Sequence, residues 1–181
     1  MNEHNILGSI LAGGKSKRMG EDKLFLNLNN KALIEHTIDK VKKYLNEFIV
    51  ITNQENKFFE KRNLKTVKDC ISGQLGPLVG ILTAMKWARE NSSKYSWIAS
   101  FPCDTPFFPE SIILKFIEES KKKESLILSA TSHGRKHNIF GLWSLDLYDK
   151  LYNDLVNNKV RKVQDWTKVN NIKNLEFEFR G

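Results

Sequence analysis

The sequence predicts an α/β fold, a mostly parallel sheet with helices on both faces, in one domain spanning residues 1–181. Two observations carry this expectation. Short apolar or β-branched runs alternate with segments of helical period along the chain, the pattern of βαβ units. The first run, Ile6 to Ala12, is apolar almost throughout and is closed by Gly13-Gly14, as expected of a strand buried on both faces and followed by a glycine turn.

The other elements follow in order. From Ala32 to Leu45, the residues Ile34, Ile38, Val41 and Leu45 recur at helical spacing and leave Lys40, Lys42 and Lys43 for the wet face. Phe48 to Thr52 is a β-branched strand, Leu64 to Lys68 alternates as another, and Leu78 to Ala88 is a helix after a Gly76-Pro77 start. Tyr95 to Phe101 is a strand stopped by Pro102, and beyond Pro109 the residues Ile112, Ile113, Phe116 and Ile117 form a helical stripe. Strands at Ser125 to Ala130 and Ile139 to Ser144 flank a polar loop, Thr131 to Asn138. Helices over Leu145 to Val156 and Val160 to Val169, then a strand from Leu175 to Phe179, complete the pattern. In such sheets ligands bind beyond the carboxyl ends of the strands, which makes the residues just after each strand the site candidates.

Composition narrows the function. Lys and Arg total 29 against 21 Asp and Glu, a net charge of +8, which attracts anions at long range. The basic residues are dispersed, without zinc-finger spacing or an aromatic RNP-type run, so a phosphorylated small molecule is expected and nucleic acid is not. Cys70 and Cys103 are too few and too far apart for a disulfide framework or a Cys-rich zinc site, which suits a reducing cytosol. With no signal-peptide pattern at the start and no run of ~18 apolar residues, a cytoplasmic protein without a membrane partner is expected.

Chemistry concentrates after the first strand, in Leu11-Ala12-Gly13-Gly14-Lys15-Ser16-Lys17-Arg18-Met19-Gly20-Glu21-Asp22-Lys23. Glycines let backbone N–H groups approach a phosphate, and Lys15, Lys17, Arg18 and Lys23 offer charge to a triphosphate. Counted from Gly8, Gly14 occupies the lysine position of a Walker A loop, and G-x-G-x-x-G is absent, which argues against a P-loop NTPase and a dinucleotide oxidoreductase. The competing reading of the stretch is a polar connection with a helix cap.

Asp104 follows the strand ending near Phe101, in a turn stiffened by Pro102 and Pro106. A hard carboxylate there can hold Mg2+ bridging triphosphate oxygens, or it can cap the next turn or helix. Asp69 ends the Leu64 to Lys68 strand, where it can accept from guanine N1–H and N2–H2 or from a ribose hydroxyl, or else form an Asx turn. Asn53 holds the matching place after Phe48 to Thr52. Gly76 and Gly80 admit close backbone approach, although Gly76-Pro77 equally suits a helix start. His133 and His137 lie around Gly134 in the polar stretch, with no H-E-x-x-H pattern, and read as loop residues rather than a metal pair.

The stretch from Leu11 to Lys23, Leu-Ala-Gly-Gly-x-Ser-x-Arg-Met-Gly-x-Asp-Lys, resembles the signature of the molybdenum cofactor guanylyltransferase family within the nucleotidyltransferases. Asp69 followed by Gly76-Pro77-Leu78-Val79-Gly80-Ile81 is similar to that family's Asp…Gly-Pro-Leu-x-Gly-Ile, and Pro102-Cys103-Asp104-Thr105-Pro106 with Pro109 to its Asp-x-Pro motif. Gly141-Leu142-Trp143 and Arg161-Lys162-Val163 with Trp166 match weaker features. Asn138 replaces the proline that usually follows the family's histidine, so no substrate contact is carried over to His137. Nor is any residue assigned to the Asn-x-Asn segment through which family members continue.

The resemblance implies a Rossmann-like fold of the nucleotide-diphospho-sugar transferase type, and Mg2+-dependent transfer of GMP from GTP to the terminal phosphate of molybdopterin with release of pyrophosphate. Leu11, Ala12, Gly13, Gly14, Lys23, Asn53, Asp69, Gly76, Gly80 and Asp104 would then bind the nucleotide. Arg18, Lys23 and Asp104 would be catalytic, with Asp104 the metal ligand. Implied partners are GTP, molybdopterin, cofactor-transfer proteins and molybdoenzymes. Leu-Ala-Gly-Gly and Gly-Pro-Leu resemble the guanylyl rather than the cytidylyl branch. The alternatives are cytidylyl transfer to molybdopterin, transfer to a sugar or polyol phosphate, and a non-catalytic nucleotide-binding partner in cofactor assembly, the last disfavoured by Asp104.

Overall fold

β-branched and apolar residues dominate the strands because both faces of the sheet are covered. The computed structural model of the chain describes residues 5–12, 25, 27–28, 31–73, 76–170 and 172–178. Its strands are β1 (Ile6–Leu11), β2 (Asn27–Leu28), β3 (Lys31–Ala32), β4 (Phe48–Ile51), β5 (Thr66–Val67), β6 (Trp97–Pro102), β7 (Ile127–Ser132), β8 (Arg135–Ser144) and β9 (Ile172–Glu176). Its α-helices are α1 (Leu33–Tyr44), α2 (Lys57–Lys61), α3 (Pro77–Asn91), α4 (Ser111–Ser120), α5 (Tyr148–Val156) and α6 (Val163–Lys168). Seven strands form one sheet in the order β5-β4-β1-β6-β8-β7-β9, and β2 and β3 make a separate antiparallel ribbon. Within the large sheet only β8 runs against its neighbours.

Strand periodicity sorts β1 between two cores. Ile6 and Ile10 pack with Ile34, Ile38 and Val41 of α1 and Ile112, Ile113 and Phe116 of α4. Leu7 and Leu11 point the other way, into the core built by α3, α5 and α6 around Trp143 and Trp166. All six residues of β1 are therefore buried, as the continuous apolar run requires.

Three expectations need correction. The polar stretch Thr131 to Asn138 is not a loop: β7 runs to Ser132 and β8 starts at Arg135, across a tight turn at His133 and Gly134 with φ of 49° and 77°. Positive φ at both central residues matches the right-handed twist of a two-residue hairpin, and ladder pairing of Ala130 with His137 and Thr131 with Lys136 satisfies the backbone despite the polar side chains. His137 is accordingly a strand residue, its ring Nε2 2.7 Å from the Ser132 hydroxyl. The last strand lies at Ile172–Glu176 rather than at Leu175 to Phe179, because pairing with β7 from Ile127↔Ile172 to Thr131↔Glu176 sets its limits. Pro102 is not a stop but the last residue of β6, paired with Leu11.

One ion cluster ties the far edge together. Glu119 of α4, only 4% exposed, accepts from Lys122 and from Lys173 of β9, each at 2.9 Å. The Lys173 hydrogen bond is the largest influence and outweighs burial, holding the carboxyl at about 2. Because this lies below the ordinary value of 4.5, the contribution of charged Glu119 is present above that pH and is lost as pH falls toward about 2. Glu119→Gln should melt several degrees below the parent at pH 7, and the gap should close through that acid window when melts are followed by circular dichroism. A gap that does not change with pH would remove the ion-pair role.

Candidate active site

Register brings four strand ends to one height. Leu11 is level with Ile51 on one side and Pro102 on the other, and Ile51 is level with Val67. Ala12 N–H donates to the Ile51 carbonyl at 2.8 Å and Thr52 N–H to the Val67 carbonyl at 3.0 Å, so the alignment continues past the strands. Asp69, Asn53, Ala12 and Asp104 thus emerge side by side beyond β5, β4, β1 and β6. At the usual spacing of strands this row spans about 14 Å, a length suited to a nucleotide laid from base to triphosphate.

At one end of the row Asn53 and Asp69 pair reciprocally. Asn53 Nδ2 donates to Asp69 Oδ2 at 3.1 Å, while Asp69 N–H donates to Asn53 Oδ1 at 3.0 Å. The carboxylate therefore bonds across to β4 instead of closing an Asx turn. Partial burial pushes the Asp69 carboxyl up, opposed by the Asn53 bond. Next in the chain, Cys70 N–H donates to the buried Thr83 hydroxyl at 2.9 Å, and that hydroxyl donates to the Val79 carbonyl at 2.7 Å, which anchors the segment to α3.

Asp104 occupies the other end. It is exposed, and among the described residues its carboxylate accepts only a long 3.4 Å contact from the Thr105 hydroxyl. It does not cap α4, whose N-cap position is held by Glu110. No group of three or more His, Cys, Asp or Glu suited to a metal occurs among the described residues. A lone accessible carboxylate fits a hard divalent cation that takes its remaining ligands from water and phosphate.

The loop after Asp104 is fastened by a residue expected on the wet face. Lys40 is partly buried, and its Nζ donates to the carbonyls of Pro106 at 2.6 Å and Phe108 at 2.8 Å while lying 4.6 Å from the centre of the Phe108 ring. Lys42 and Lys43 are exposed as expected. The helical period puts Lys40 and Lys42 on different sides of α1, but no local signal marks which side meets the loop, since the loop that Lys40 reaches lies 66 residues away.

The two glycines serve different ends. Gly76 precedes α3 with φ of 87° and ψ of −174°, where any side chain is strained, and a Cβ there would approach the Arg161 carbonyl to 3.5 Å. Gly80 is buried in α3, and a Cβ would come within 3.1 Å of Leu11 Cδ2, so its smallness lets the helix approach the end of β1. Gly13, Gly14, Arg18 and Lys23 lie outside the described residues. Two shallow surface hollows, one lined by Arg89 and Tyr148 and the other by Glu47 and Lys65, lie at the opposite end of the sheet from Asp104.

The family model of the MobA-like NTP transferase domain matches residues 8–171, from within β1 to the residue before β9. The chain belongs to this family. A molybdenum cofactor guanylyltransferase from Rhizobium rhizogenes is 32% identical over 168 residues, covering 93% of this chain and 77% of that protein. Among solved structures, molybdopterin-guanine dinucleotide biosynthesis protein A from Archaeoglobus fulgidus superposes with a TM-score of 0.75 at 18% identity, over 94% of this chain and 83% of that one. A Mycobacterium tuberculosis protein crystallised in complex with manganese superposes with a TM-score of 0.63 at 14% identity, over 95% and 88% of the two chains. At these identities the two structures show the shared fold, and the row of strand ends belongs to a MobA-like domain. No described helix in this MobA-like domain is long and apolar enough to cross a membrane.

Proposed function

We propose that this MobA-like domain is a guanylyltransferase that moves GMP from GTP to the terminal phosphate of molybdopterin and releases pyrophosphate. The observation that carries the reading is the row itself, with the Asn53–Asp69 pair at one end, Leu11-Ala12 between, and the accessible Asp104 carboxylate at the other. The names of the relatives support guanine and molybdopterin in particular.

With one Asp69 oxygen held by Asn53, the other accepts guanine N1–H or N2–H2, or a ribose hydroxyl. The backbone from Leu11 to Gly14 lines the nucleotide, with Gly76 and Gly80 shaping the wall beside it. An oxygen of the acceptor phosphate attacks the α-phosphorus, the bond to the bridging oxygen breaks, and pyrophosphate leaves with that electron pair; positioning and charge neutralisation suffice without a covalent nucleophile. Arg18 and Lys23 supply positive charge to the phosphates. Asp104 would hold Mg2+, which when bound neutralises charge on the triphosphate oxygens. The domain would act in the cytoplasm and hand its product to cofactor-transfer proteins or molybdoenzymes.

Ligand-linked melting tests the base. At a concentration of about 100 times Kd, GTP with Mg2+ should raise Tm by roughly 5–10 °C, and CTP, ATP and UTP at the same concentration by clearly less. Equal shifts for all four nucleotides would remove the guanine assignment.

A further inference from the structure

We propose that Lys40 is a positioning residue that sets Asp104 through the loop joining β6 to α4. The proposal rests on the reading of Asp104 as the cation ligand. Residues 102, 106 and 109 in and around this loop are prolines, which donate no backbone hydrogen bond, so the loop depends on what its carbonyls can find. Two of those carbonyls, at Pro106 and Phe108, accept from the single ammonium of Lys40 at 2.6 and 2.8 Å. The ammonium also lies over the Phe108 ring at 4.6 Å, and that ring is fixed in the core against Phe101 and Phe140. Lys40 in turn is held by α1, whose Ile34, Ile38 and Val41 are buried against the sheet.

A second fastening closes the far end of the same segment. Tyr44 and Lys43 of α1 donate to Glu110 at 2.5 and 3.1 Å. Helix α1 therefore grips residues 106–110 at both ends, while Asp104 stays accessible just upstream and, among the described residues, accepts only the long contact from Thr105. The carboxylate is placed by the loop, and the loop by Lys40. Lys40 needs no contact with substrate to act in this way.

The test uses Mn2+ as the probe, with the free ion followed by electron paramagnetic resonance in the presence of saturating GTP and no acceptor. Losing two hydrogen bonds to the loop, Lys40→Met should weaken Mn2+ binding by about tenfold, and Lys40→Arg, which keeps charge and donors, should recover most of it. Melting temperature is measured beside each variant. Should Lys40→Met not fold, Lys40→Gln takes its place, with a shift of about threefold expected. Parental Mn2+ affinity in the folded Met or Gln variant overturns the proposal. Asp104→Asn is titrated in parallel: if it binds Mn2+ like the parent, the Asp104 reading has failed and the Lys40 proposal with it. If Asp104→Asn loses Mn2+ and Lys40→Met does not, only the Lys40 proposal has failed.

Discussion

Asp104→Asn should fold like the parent and lose guanylyl transfer by about 100-fold or more, the scale of removing one strong electrostatic contact to a transition state. The substitution preserves size and most hydrogen bonding but removes the charge that a hard cation requires. Stability should not change, because Asp104 is exposed and does not cap α4. Were the residue only a turn or helix cap, asparagine would replace it with little loss, since Asn and Asp cap about equally well. Initial rates measured across a Mg2+ titration, with melts as a control, separate the readings. Partial recovery in excess Mg2+ is expected, and parental rates at limiting Mg2+ would sink the metal assignment.

Asp69→Ala should lower kcat/KM for GTP by about 10- to 100-fold, the range of a hydrogen bond to a charged group. The change should also erase discrimination between GTP and ITP, which lacks the 2-amino group, because the carboxylate oxygen that Asn53 leaves free is the group proposed to read that edge. If the GTP-to-ITP ratio of kcat/KM stays at its parental value while both rates fall, Asp69 contacts N1–H, which ITP shares, or the ribose rather than the 2-amino group. If both rates stay parental, Asp69 has no part in the nucleotide site. Asn53→Ala should have a smaller effect in the same direction, since it frees the carboxylate without removing it.

Local signals foretold the strands and helices where period and punctuation agreed. Ile6 to Ala12 announced β1 because a strand buried on both faces is apolar almost throughout, and α1 was legible because Ile34, Ile38 and Val41 repeat on one helical stripe. Both strands of the hairpin from β7 to β8 were legible in part, but its polar tip was not. Its tip carries His133, Arg135 and Lys136, all exposed at the rim of the sheet, and exposed polar residues leave no alternation to read. Helix α2 escaped because one turn with a single buried residue, Phe59, is too short to show a period.

The sequence by itself determined the α/β class, and it marked Asp69 and Asp104 as residues following strands. Those features depend on local pattern, chain punctuation and motif, all properties of neighbours along the chain. Only the tertiary structure decided that β4, β1 and β6 end level with one another, that Asn53 and Asp69 exchange hydrogen bonds 16 residues apart, and that Lys40 reaches Pro106 and Phe108. Lys40 and Lys42 are two positions apart and chemically identical, yet one grips a loop and the other meets solvent. The helical period turns them to different sides of α1, and helix packing, which brings distant segments together and is set by the fold as a whole, decides which of those sides meets the loop.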